Sequence, residues 1–171
     1  MTAPVHRVTG TGSVTWGVPW PRGQVSTDAS FRLGEVPVQS WPLATWPDGS
    51  LKWSGHATSW VGSGTLEVGE PATPDVPVVV DEGQEGVTVS VGTHVWHIAR
   101  TGALVDQVLV DGRLVAGPIS LVSQRASQAG PGDREDWVGH VTDMVVEQSG
   151  PVRAVVRLRG AHRQIEARQT R

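Results

Sequence analysis

The sequence predicts an all-β, helix-poor fold, either a β-barrel or a β-sandwich, and three observations carry that prediction. The first is punctuation: 21 Gly and 12 Pro are spread over the whole of the 171 residues. The second is the Val-rich character of the short runs between them, because β-branched side chains pack well on a pleated surface and Gly and Pro supply the turns. The third is the lack of capped segments of helical period. Only Ala161–Arg168 contains a run of helix formers, and nothing caps it.

Taken in order, Val14–Gly23 reads as a strand running into a corner. Pro19 and Pro21 each remove a ladder donor, which suits an edge or a barrel corner. Ala29–Leu33 is a short strand, and a Gly34-Glu35 turn leads from it to Val36–Leu43. Trp46-Pro47-Asp48-Gly49-Ser50 is the clearest turn. Proline presets φ, the Asp side chain caps the turn, and Gly takes the left-handed exit. The next strand alternates, with Leu51, Trp53, Gly55 and Ala57 on one face and Lys52, Ser54, His56 and Thr58 on the other. The first set is expected to face the core and the second to face solvent or a neighbouring domain.

Between Gly69 and Pro77 three prolines without apolar periodicity mark a stiff connection, so the expected domains are 1–76 and 77–171. The acidic turn Asp81–Gly86 is the alternative boundary. Beyond it Val87, Val89 and Val91 alternate with Thr88 and Ser90, and Asp111-Gly112 inside Val108–Val115 is a two-residue hairpin signal. A polar loop is expected over Gln124–Asp136. Two further strands meet at Ser149-Gly150-Pro151. In the second of them Val152, Ala154, Val156 and Leu158 face one way and Arg153, Arg157 and Arg159 the other.

Composition narrows the functions. A net charge of −3 without basic clusters argues against nucleic acid as a partner. With no cysteine, disulfides and thiolate metal sites are excluded. No apolar run of membrane-spanning length and no signal peptide is encoded, so the chain is expected to be cytoplasmic as written, or secreted if an export signal is missing. Thr9–Ser13 is rich in glycine but lacks the helix start of a phosphate loop. His94 and His97, three residues apart on an extended chain, point to opposite faces and cannot jointly hold a metal. Asp133, Glu135 and Asp136 read as a solvated acidic loop rather than a calcium site. No cofactor and no metal are expected, and no catalytic Ser/His/Asp arrangement can be identified.

The aromatic content is almost all indole: eight Trp, one Phe and no Tyr. Six of the indoles (Trp16, Trp20, Trp41, Trp46, Trp53 and Trp60) fall before the Pro-rich connection. Buried anchoring is the commoner use of Trp, while exposed indoles on a rigid β-scaffold suit sugar stacking or docking to another domain. Trp53 shares its face with Leu51 and Ala57 and is expected in the core, whereas Trp60 falls in register with the polar face. The candidates for substrate contact are Trp60, Trp46, Trp20 and His56.

Three strings rich in Trp, Pro and Gly, Val14–Gly23, Val38–Ala44 and Trp46–Trp53, resemble the opening domain of the exo-rhamnogalacturonan lyase family, also called YetA-like proteins. The resemblance implies an N-terminal RIFT-type β-barrel followed by the beginning of a central β-sandwich, left incomplete at Arg171, and then an α/α toroid of which nothing is seen here. The family's lyases remove disaccharide units from the end of the rhamnogalacturonan I backbone of pectin by β-elimination. That chemistry needs a base for the C5 proton and positive charge beside the carboxylate. Tyr is absent and Lys52 is the only lysine, so the bases available are His and Arg, and no catalytic residue of the family carries over. The implied function is the ancillary N-terminal region of a pectin lyase-like protein, with a polysaccharide or the missing catalytic domain as partner. The alternative is a free-standing carbohydrate-binding or adhesion module.

Overall fold

The computed structural model describes residues 5–59, 62–126 and 134–164. Fourteen strands and no helix are found among them. The chain divides into two compact units, Met1–Val78 with Gly150–Arg153, and Val79–Ser149 with Ala154–Arg171.

In the first unit, β1 (His6–Gly10), β2 (Val14–Pro19), β3 (Phe31–Leu33), β4 (Gln39–Thr45), β5 (Leu51–Thr58) and β6 (Gly62–Val68) form two antiparallel three-stranded sheets, ordered β1-β6-β3 and β2-β5-β4. Hydrogen bonds do not close these strands into a single ring among the described residues. Prolines help keep the edges open, since Pro19 and Pro42 lie on the outer strands β2 and β4 and offer no donor. The two sheets share one core. Val18, Trp20, Val25, Phe31, Leu33, Val38, Leu51 and Leu66 form a buried cluster drawn from both. The β4–β5 turn has the predicted chemistry. The Gly49 N–H donates to the Trp46 carbonyl at 2.9 Å, and Gly49 sits at φ 84°. Asp48 Oδ1 accepts from the Ser50 N–H at 3.0 Å and from its hydroxyl at 2.6 Å. The two Ser50 bonds, followed by Arg22, hold the Asp48 carboxyl down at about 2.

The second unit holds β7 (Val78–Glu82), β8 (Gly86–Val91), β9 (His94–Ala99), β10 (Gln107–Val110) and β11 (Arg113–Ala116) in one five-stranded sheet ordered β11-β10-β9-β8-β7. A second sheet is built from β12 (Val122–Ala126), β13 (Arg134–Ser149) and β14 (Ala154–Gln164), with β13 in the middle. The β10–β11 hairpin turns on Asp111 (φ 50°) and Gly112 (φ 72°). Both are in the left-handed region that the primed two-residue turn requires.

Two expectations change in this unit. The loop expected over Gln124–Asp136 is strand at both ends, because Gln124 pairs with Asp136 and Ala126 with Arg134. The helix formers at Ala161–Gln164 belong to β14, where pairing with β13 overrides a weak local preference.

Candidate functional site

The sheet β2-β5-β4 decides where functional side chains can lie. Register places Thr15, Ala57 and Gln39 side by side, then Trp16, His56 and Ser40, then Gly17, Gly55 and Trp41. Odd-numbered residues of β2 and of β5 from Trp53 onward therefore share one face, and even-numbered residues share the other.

The even face is the one turned to the core, which reverses the expectation for Trp53, Ser54, His56 and Thr58, while Leu51 and Ala57 are buried as expected. Ser54, His56 and Thr58 are buried, whereas Trp53 is 41% exposed. The cause is a bulge. Thr45 pairs with Leu51 and Ala44 with Trp53, so Lys52 is an extra residue in β5, and Leu43 is likewise extra in β4. One inserted residue transfers every later side chain to the opposite face. Leu51 faces the core before the bulge, and Ser54, His56 and Thr58 face it after.

Inside, the polar groups form a chain. Trp20 Nε1 donates to Ser54 Oγ at 2.7 Å, and Ser54 Oγ lies 2.6 Å from His56 Nε2. Ser40 Oγ lies 2.8 Å from His56 Nδ1. Indole N–H can only donate, so Ser54 Oγ accepts from Trp20, and each serine hydroxyl can donate to or accept from the ring nitrogen it faces. Either tautomer of a neutral His56 thus has both ring nitrogens partnered. Burial, with a smaller repulsion from His6, pushes His56 down to about 4. The ring is enclosed by Trp16, stacked at 5.4 Å between centroids, and by Phe31, edge-on at 5.1 Å. Trp20 is stacked on Phe31 at 5.1 Å and edge-on to His6 at 4.8 Å.

Of the four candidate contact residues, Trp20 and His56 are therefore core residues with no face toward solvent. Trp46 is half-buried. Its Nε1 donates to the Trp20 carbonyl at 3.0 Å, and Lys52 Nζ sits 4.6 Å from its ring centroid. Trp60 lies outside the described residues.

On the odd face Trp53 is exposed, while Gly55 and Ala57 are covered. The Trp41 ring lies against Gly55, so closely that a Cβ there would collide with it, and the Trp53 ring lies over Gly17 at 3.6 Å from where a Cβ would stand. Gly17 and Gly55 are direct partners and make a flat floor under the two indoles. Beside them the 150–153 turn is fixed in the first unit. Gln39 Oε1 accepts from the N–H groups of Val152 at 3.0 Å and Arg153 at 2.8 Å. The Arg153 guanidinium carbon stands 5.4 Å from the Trp41 ring centroid. A groove of about 160 Å3 adjoins it, lined by Thr15, Ala57, Thr58, Ser59 and Arg153 among others. The one available signal in the sequence was the pair of glycines inside strands, since a strand glycine marks close approach of another group to the backbone.

In the second unit His97 Nδ1 is 3.1 Å from Thr88 Oγ1, and His94 stacks on Trp96 at 6.1 Å. An open groove of about 630 Å3 is lined by Asp81, Glu82, Glu85, Asp106 and His97 among others. No group of three metal-ligating side chains occurs among the described residues.

Two strand-built units, one of paired three-stranded sheets around a Trp-rich core and one of two larger sheets, define the chain as an all-β protein. Residues 3–67 match the PcRGLX-like N-terminal RIFT barrel domain, and residues 78–171 match the PcRGLX-like protein central beta sandwich domain. The chain belongs to this PcRGLX-like family. It is also 32% identical over 167 residues to the uncharacterized protein YetA of Bacillus subtilis (strain 168). That alignment takes in 89% of this chain and 20% of YetA, so the chain spans about a fifth of the length of that relative.

Proposed function

We propose that the chain is the ancillary N-terminal β region of a rhamnogalacturonan I exo-lyase-like protein, and that elimination chemistry resides in the part of such proteins that this chain does not span. The observation that carries the reading is the succession of two domain matches, N-terminal barrel then central sandwich, over a chain a fifth as long as its relative. The buried His56 supports it as well. A base for C5 proton abstraction must reach its proton within hydrogen-bond distance, and His56 spends both ring nitrogens on Ser54 and Ser40 inside the core. The β region then supports an α/α toroid or shapes one wall of its cleft.

The exposed Trp53 indole on the Gly17–Gly55 floor favours a second reading, a carbohydrate-binding module acting without a catalytic partner. Both are tested by incubating rhamnogalacturonan I with this chain alone and with a version continued into the helical part of a relative, and following ultraviolet absorbance of the unsaturated product. The first reading expects product only from the longer protein. Product from this chain alone contradicts both.

A further inference from the structure

We infer that the odd face of β2-β5-β4 is a binding face for an acidic oligosaccharide, one that carries uronate carboxylates, with Trp53 as the stacking surface and Arg153 as the carboxylate contact. The inference rests on the pectin-related reading above and gives that reading a location.

The geometry has three parts. The first is the platform. Trp53 packs its six-membered ring against Gly17 rather than standing off the sheet, and at 41% exposure part of the indole is open to a ligand. Pyranose rings present apolar C–H faces that pack on flat aromatic rings, and an indole held by its floor loses little freedom on doing so.

The second part is the charge. Arg153 has no carboxylate partner among the described residues. It is nonetheless held in place, by its N–H on Gln39 and its guanidinium over Trp41. A guanidinium fixed over an aromatic ring keeps N–H edges for a carboxylate, which it can grip with two parallel bonds.

The third part is the groove. Its lining of Ser13, Thr15 and Ser59, hydroxyl-bearing residues beside Arg153, offers both donors and acceptors to sugar hydroxyls. A volume of about 160 Å3 equals the liquid share of about five waters, the scale of one sugar ring rather than of a chain.

These parts fall in a line. The row Thr15-Ala57-Gln39 borders the groove, the next row on this face holds Gly17, Gly55 and Trp41, and the following one holds Trp53. Alternate residues of a strand are about 7 Å apart. A linear oligosaccharide laid along β5 therefore meets the groove and Arg153 first and Trp53 one or two rings later. A neutral glycan would use the indole and leave the guanidinium unpaired, so the face selects for acid.

The test titrates the whole 171-residue chain with a rhamnose–galacturonate tetrasaccharide, with its carboxyl methyl ester, and with a neutral galactan oligosaccharide, by calorimetry and Trp emission. The acid form is expected to bind about tenfold or more tighter than the ester or the galactan. Trp53→Ala is expected to weaken all binding about tenfold, and Arg153→Gln to weaken the acid form alone to the level of the ester. Circular dichroism of Trp53→Ala should match the parent, since the side chain is outside the core. Equal affinity for acid and ester, or parent-like binding by Trp53→Ala, overturns the inference. So does no binding at millimolar sugar, and that result leaves the lyase assay above to stand or fall on its own.

Discussion

The two faces of β5 divide the work of the first unit. The inner face carries the residues with chemical potential, Ser54, His56 and Thr58, and the outer face carries an indole and a glycine, Trp53 and Gly55. Chemistry-bearing residues here hold the fold together, and the Trp53 indole is presented to solvent. A buried His with both nitrogens bonded is a structural part, because its ring has no free nitrogen to offer a substrate. An indole lying on glycine is rigid without being buried.

The comparison can be broken from the inside first. Phe31→Ala removes the ring that touches both Trp20 and His56. It is expected to cost about 3–5 kcal/mol, read as a lowered urea midpoint of the Trp emission transition, with the second unit's strand signal retained.

Acid is the next probe. His56 has its folded value lowered from 6.5 to about 4, so between those values the unfolded chain binds the extra proton. Stability is fully present above pH 6.5, falls as pH drops toward 4, and levels off below it. The full effect is about 3 kcal/mol. Urea midpoints measured across that window for the parent and His56→Gln isolate it, since the variant should lack this component of the pH dependence while sharing that of the carboxylates.

On the outer face, Gly55→Ala drives a methyl into the Trp41 ring and is expected to cost about 1–3 kcal/mol, with a red shift of Trp emission as the indole lifts. The smallest effect belongs to the exposed Arg32–Glu67 pair, 2.8 Å apart. Glu67→Gln should change the midpoint by no more than about 0.5 kcal/mol, and less in salt.

Much of this arrangement was legible in the sequence, for reasons that can be named. Trp46–Ser50 and Asp111-Gly112 announce their turns because Pro, Asp and Gly have narrow backbone preferences there. The Val-rich runs between such turns are strands because no other element fits so few residues. The faces of β5 were not legible. Alternation from Leu51 puts Trp53 inside, and the bulge at Lys52 that reverses it depends on pairing with β4, where Leu43 bulges in turn. The same error hid the site. His56 looked available because its face was assigned from a count of two, and Trp41 and Arg153, far apart in sequence, come together only through Gln39 and the 150–153 turn.

The division between the two faces is tested most directly by titrating the rhamnose–galacturonate tetrasaccharide into Ser40→Ala and Trp53→Ala side by side. Ser40→Ala removes the partner of His56 Nδ1 and should lower stability by about 1 kcal/mol while binding the sugar as the parent does. Trp53→Ala should keep the parent's stability and weaken the binding about tenfold. The reverse pattern, with binding lost on disturbing the buried His56 and kept without the Trp53 indole, would contradict the account.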